Sequence, residues 1–226
     1  VITNDATSPL GEAADAVIEL FAGAERAIAS TKTFTSSCHA LVQFASAISG
    51  RAFAGLNVLP DVIERIALWA LNAPLPAGTL NATHGLTVVG RGIGFASAAE
   101  ISLKIREVAG LRSESYSVPD FLHGPIGADG EGATMLLCVT DDVDDDVARN
   151  LLEQCAQRGM RTVVLRPSER CALSSDAEIV LPESMENWSL GLAEVVVGQV
   201  LALRLGELRG RPIDTSPGLN KVTLTA

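Results

Sequence analysis

Glu100, Lys104 and Glu107 stand at intervals of four and three in the stretch EISLKIREV, and His123 follows in the proline-bounded turn FLHGP, Phe121 to Pro125. On a helix that spacing puts the three ionisable groups along one face. Ile101, Ile105 and Val108 repeat at the same interval on the adjacent face, which supplies an apolar stripe for packing. A carboxylate beside an ammonium group, with an imidazole within reach, can relay a proton near neutral pH. Two plainer readings compete. The charged face also describes an exposed ion-pair ladder worth roughly a few tenths of a kcal/mol per pair, and a histidine there also caps the last carbonyls of a short helix. The joint occurrence of both sets after a glycine-rich turn favours the chemical reading.

The elements around these residues alternate. VITN (Val1 to Asn4) reads as a strand end in mid-fold, PLGEAADA as a short helix and AVIEL (Ala16 to Leu20) as a strand. A hydroxyl-rich segment, Glu25 to Thr35, then opens a long helix running to about Ile48. A Ser or Thr at such a start is first an N-cap; alternatively, the free amides there, with Lys32, bind sugar hydroxyls or an anion. Residues 51–82 carry a helical pattern with Trp69 on the core side, Pro74 to His84 reads as a linker, and a domain boundary is placed near Leu80.

The second unit begins with the strand Leu86 to Val89, the turn Gly90-Arg91-Gly92-Ile93-Gly94 and the helix bearing Glu107. Phe95 stands where a dinucleotide fingerprint needs its third glycine, so the glycines are assigned to a tight turn at a helix start. Further on, 133–140, 162–165 and 177–181 read as strands, and 143–158 and 188–208 as helices. Strands lacking polar alternation indicate a parallel sheet covered on both faces. The aspartates at 141, 142 and 144–146 precede a helix, where they complement its dipole rather than bind a metal.

The chain has 226 residues, 47% of them hydrophobic and 19% charged, with a formal charge of −10. This describes a globular protein whose field repels nucleic acid. No apolar run is assigned as a membrane span and no leader is recognised, so the expected location is cytoplasmic. Cys38, Cys138, Cys155 and Cys171 are scattered without zinc-type spacing and are expected to be reduced thiols.

Four motifs in chain order, ASTKTF (Ala29 to Phe34), EISLKIRE (Glu100 to Glu107), FLHGP and NKVT (Asn220 to Thr223), resemble the sugar isomerase (SIS) domain family. The similarity is to the isomerase half of glucosamine-6-phosphate synthase and to the isomerase-type glucosamine-6-phosphate deaminases. It implies an α/β fold, a flavodoxin-like three-layer α/β/α sandwich in tandem copies. Residues 1–50 would be the end of a first SIS domain, 51–80 a helical linker, 81–211 a second SIS domain, and 212–226 a tail carrying an active-site lysine. The family's SxSGxT phosphate loop has no counterpart in this sequence, so the chain alone is expected to be inactive.

By the same resemblance, Glu107 matches the base that moves a proton between C1 and C2 of an open-chain sugar. His123 matches a ring-opening histidine contributed across a homodimer, and Lys221 a Schiff-base lysine. Ser30 and the Ile28 amide match sugar contacts, and Glu100 and Lys104 support Glu107. No metal, nucleotide or redox cofactor is implied, and the partner is a small sugar phosphate. The ending NKVT resembles the deaminases, which implies conversion of glucosamine 6-phosphate to fructose 6-phosphate and ammonia. The alternatives are the glutamine-dependent synthase, a fructosamine-phosphate deglycase and a non-catalytic sugar-phosphate regulator.

Overall fold

A computed structural model describes residues 1–215 and Lys221. In chain order the elements are β1 (Ile2–Thr3), α1 (Pro9–Glu12), β2 (Ile18–Glu19), α2 (Lys32–Ser49), α3 (Leu59–Asn72), α4 (Ala77–Leu80), β3 (Leu86–Gly90) and α5 (Ile93–Lys104). A π-helical turn (Ile105–Ala109) prolongs α5. Then come β4 (Ser113–Ser117), α6 (Val118–Leu122), β5 (Thr134–Cys138), α7 (Asp145–Gln157), β6 (Arg161–Arg166), β7 (Ala177–Val180) and α8 (Asn187–Leu208).

Five strands form a sheet in the order β4-β3-β5-β6-β7, and every neighbouring pair is parallel. Numbered within this unit the order is 2-1-3-4-5, the flavodoxin-like arrangement. The three central strands are apolar because both of their faces are covered. Leu86, Val88, Leu136, Cys138, Val163 and Leu165 point to one side, into a core shared with α3, α4, α5 and α8. Val89, Met135, Leu137 and Val164 point to the other, under α6 and α7. The period-two alternation of a strand thus separates two cores and gives the three layers.

β4 escapes the sequence reading. Its residues, SESYS, lie at the sheet edge and are mostly half-buried, so no apolar run marks them. The helix expected over PLGEAADA closes after one turn at Glu12. Within the stretch expected to be a linker, Ala77 and Leu80 are buried in the α8-side core.

α8 also corrects the expectation that no segment is apolar enough for a membrane. Asn187–Leu208 meets that criterion by length and composition, yet most of it is buried inside the protein, as a central helix must be. It approaches α5 closely because glycines line the contact. A β-carbon on Gly198 would lie 2.3 Å from Ile101 Cγ1, and one on Gly206 3.3 Å from Val108 Cγ1. Residues 1–50 contribute a separate two-stranded parallel pair, β1 with β2.

Candidate active site

The charged face of α5 is not a solvated ladder. Lys104 is buried, and its Nζ donates to Glu107 Oε2 at 2.6 Å. On its other side Glu100 Oε1 stands 3.4 Å away, within ion-pair range. That oxygen has no aligned hydrogen-bond partner among the described residues. Burial raises the Glu100 pKa, the Lys104 charge opposes the rise, and the Glu107 carboxylate adds to it. One cation therefore serves two carboxylates, and Glu100, the more buried of them, holds a proton more easily than a surface acid does.

Glu107 sits in the π-helical turn, where the backbone widens by one residue before ending at Gly110 in the left-handed conformation, φ 58°. Glycine suits that end because this φ strains a side chain, and a β-carbon would also force the Arg211 guanidinium, 2.6 Å away, to swing aside. Arg209 Nε donates to the Ala109 carbonyl at 3.0 Å, closing the turn from the end of α8. From there the chain runs to Asp214, whose carbonyl accepts the Ile28 amide at 3.2 Å. Lys221 Nζ in turn donates to the Ile28 carbonyl at 3.2 Å. The tail thus links the Glu107 turn, Ile28 and Lys221 at one end of the molecule. Asn220, Val222 and Thr223 of the NKVT motif lie outside the described residues.

The start of α2 departs from expectation. Its amides are not free for an anion, because Thr31 N and Lys32 N both donate to Glu25 Oε1, at 2.8 and 3.0 Å. Thr31 holds the N-cap position but makes no side-chain cap bond. Lys32 Nζ turns away to the Ala24 carbonyl at 2.8 Å, and Ser30 Oγ donates to Glu25 Oε2 at 3.1 Å. The Ile28 amide, expected to face sugar, is spent on Asp214. Neither Glu25 nor the arginines at 209 and 211 was found from sequence. A capping carboxylate that precedes its helix by seven residues has no recognised spacing, unlike the Ser/Thr-then-Glu order of a capping box.

His123 lies apart from the rest. α5 starts at the carboxyl end of β3 and runs back, which puts Glu107 at the amino ends of the strands. His123 follows β4 and α6, at the carboxyl ends. A five-residue strand separates these levels by about 17 Å. The exposed His123 ring pairs through Nδ1 with the Pro119 carbonyl at 3.1 Å, the helix-capping alternative. Within one chain it does not meet Glu107.

Residues 80–205, more than half of the chain, match the SIS domain family. The chain belongs to the SIS domain family. Over 97% of its length it is 28% identical to glutamine-fructose-6-phosphate aminotransferase (isomerizing) 1 of Rattus norvegicus, and it covers 34% of that protein. A relative from Legionella pneumophila bearing the same aminotransferase name is also 28% identical, with 37% of it covered. The chain thus spans about a third of the length of the curated relatives it matches.

Among solved structures, the C-terminal domain of glucosamine-fructose-6-phosphate aminotransferase from Francisella tularensis superposes with a TM-score of 0.85 at 20% identity, covering 95% of this chain and 64% of that one. Glucosamine-6-phosphate deaminase from Thermotoga maritima gives 0.75 at 21% identity, covering 97% and 65%. At these identities the structures establish a shared fold, and the SIS assignment rests on the matched residues.

Proposed function

We propose that this SIS chain interconverts aldose and ketose forms of an amino-sugar phosphate, with Glu107 moving a proton between C1 and C2. The observation that carries this is Lys104, buried between Glu100 and Glu107 on a π-helical turn. In the open-chain amino aldose, Glu107 takes the C2 proton while the C1 oxygen gains one, leaving an enolamine. Returning a proton to C1 gives the 2-imino sugar. Water then replaces the imine nitrogen, and the sum is glucosamine 6-phosphate plus water going to fructose 6-phosphate plus ammonia. Glu100 and Lys104 hold Glu107 and its charge, and the Lys221 amine adds to C2 when the ketose is the substrate.

His123 acts in this scheme from a second copy, which makes the working unit a homodimer. What supports the arrangement is its position at the far end of the sheet from Glu107 in its own chain. Residues 1–50 would then be the end of a first SIS domain, in line with their parallel strand pair followed by a long helix.

Coupling to deamination is favoured by the NKVT ending. A second reading, the isomerase portion of a glutamine-dependent synthase, is favoured by the aminotransferase relatives that match 97% of the chain. One assay separates them. The full-length protein is given glucosamine 6-phosphate without glutamine, and ammonia and fructose 6-phosphate are followed together. Equal release of both is expected for the deaminase. Formation of glucosamine 6-phosphate from fructose 6-phosphate only with glutamine would establish the synthase, and turnover of neither would reject the isomerase role.

A further inference from the structure

Glu25 has no part in the chemistry above, yet its carboxylate is among the most heavily bonded side chains in the molecule. Oε1 accepts the Thr31 amide at 2.8 Å, the Thr31 hydroxyl at 3.1 Å and the Lys32 amide at 3.0 Å. Oε2 accepts the Ser30 hydroxyl at 3.1 Å and that of Thr33. Partial burial works against its ionisation, but the bonds from Thr33, Thr31 and Ser30 prevail and bring its pKa down to about 2. The charge is therefore permanent in working conditions.

We infer that Glu25 is a positioning and specificity residue: by taking the hydroxyl protons of Ser30, Thr31 and Thr33 and the amides of Thr31 and Lys32, it closes the helix start to phosphate and leaves hydroxyl lone pairs that receive a hydroxyl or amino group, while the Lys32 ammonium is turned to the Ala24 carbonyl. With their hydrogens directed to Glu25, Ser30 and Thr33 have only lone pairs left to offer. The α2 amides, which would otherwise attract an anion, already hold one. The loop is fixed from its other side through Ile28, whose amide donates to the Asp214 carbonyl and whose carbonyl accepts the Lys221 amine. The inference rests on the proposed sugar-phosphate site and adds the residue that holds its loop in a receiving conformation.

The test has one arm that depends on that site and one that does not. In the first, the full-length Glu25→Gln variant, with its fold checked by circular dichroism, is compared with wild type on glucosamine 6-phosphate. KM is expected to rise about tenfold or more with kcat within about threefold, because one charged hold on the binding loop is lost. An unchanged KM, or a loss confined to kcat, overturns the positioning role.

In the second arm, inorganic phosphate is titrated into isotope-labelled chain and the Thr31 and Lys32 amide resonances are followed. They should stay still in wild type and in Thr33→Val, and shift in Glu25→Ala or, if that variant does not fold, in Glu25→Gln. A response in wild type, or none in either Glu25 variant, overturns the exclusion of phosphate. If wild type binds no sugar phosphate, only the enzymatic proposal falls, since the phosphate arm still decides what Glu25 does.

Discussion

Lys104 Nζ lies 2.6 Å from Glu107 Oε2 although the lysine side chain is only 3% exposed. A buried ammonium group is tolerated when its charge is matched, and here two acids of α5 do so from one turn away on either side. Lys104→Met should leave two partly buried carboxylates side by side without their cation. We expect a loss of about 3 kcal/mol in urea unfolding; a loss below about 1 kcal/mol would place Lys104 in a solvated ladder of the ordinary surface kind.

Glu107 carries the proton in the proposed reaction. Glu107→Gln keeps its shape and removes its basicity, and turnover by the intact protein should fall at least a hundredfold or so. A rate near wild type would remove Glu107 from the role.

The separation of His123 from Glu107 within one chain predicts complementation. Glu107→Gln and His123→Ala homodimers should each be impaired. When they are mixed under exchange, half the dimers are hybrid and each hybrid holds one intact site, so activity should return to roughly a quarter of wild type. Mixing without recovery would mean that each chain uses its own histidine or none.

Glu194 is fully buried in α8, and neither carboxylate oxygen has a hydrogen-bond partner among the described residues. Burial pushes its pKa up to about 8, tempered by the neighbouring Ser97 hydroxyl, which itself donates to the Ile93 and Gly191 carbonyls. The folded state thus keeps a proton that the unfolded chain releases above about 4.5. Stability should be fullest below that value, decline by about 1.4 kcal/mol per pH unit as pH rises to about 8, and level off beyond. Thermal unfolding of Glu194→Gln across this window should show a correspondingly shallower slope, and parallel curves for the two proteins would mean that Glu194 is ionised in place.

Gly206 faces Val108 on the turn that bears Glu107. Gly206→Ala puts a methyl group 3.3 Å from Val108 Cγ1, close enough to displace the turn by a few tenths of an ångström without undoing the fold. Turnover should fall while the melting temperature changes by only a few degrees. Equal activity in the variant would show that the turn is free to move at no cost to catalysis.

The sheet was legible because β3, β5 and the middle of β6 carry consecutive apolar residues, a pattern that burial on both faces explains. β4 was not, since an edge strand needs one neighbour and tolerates Ser and Glu. Helical spacing placed Glu100, Lys104 and Glu107 on a common face, but spacing says nothing about which face a neighbour covers, and α8 decided that. The partners of Ser30 and Lys32 were hidden for a different reason. Glu25 reaches them through an irregular loop, and the amides it occupies look free in any one-dimensional reading. The resemblance of Lys221 and Ile28 to functional positions brought them to notice, while their shared bond and the pairing of Ile28 with Asp214 depend on chain segments about 190 residues apart in sequence.

Three glycines of α8, Gly191, Gly198 and Gly206, form the bare seam against α5. Each costs about 1 kcal/mol of helix propensity relative to alanine, so as an isolated peptide α8 would be largely uncoiled in water. The helix exists because α5 is there to close the seam. The two segments should consequently open together, with their slowest amides exchanging at one common rate, and the Glu107 turn would share the protection of the deepest part of the molecule instead of breathing like a surface loop.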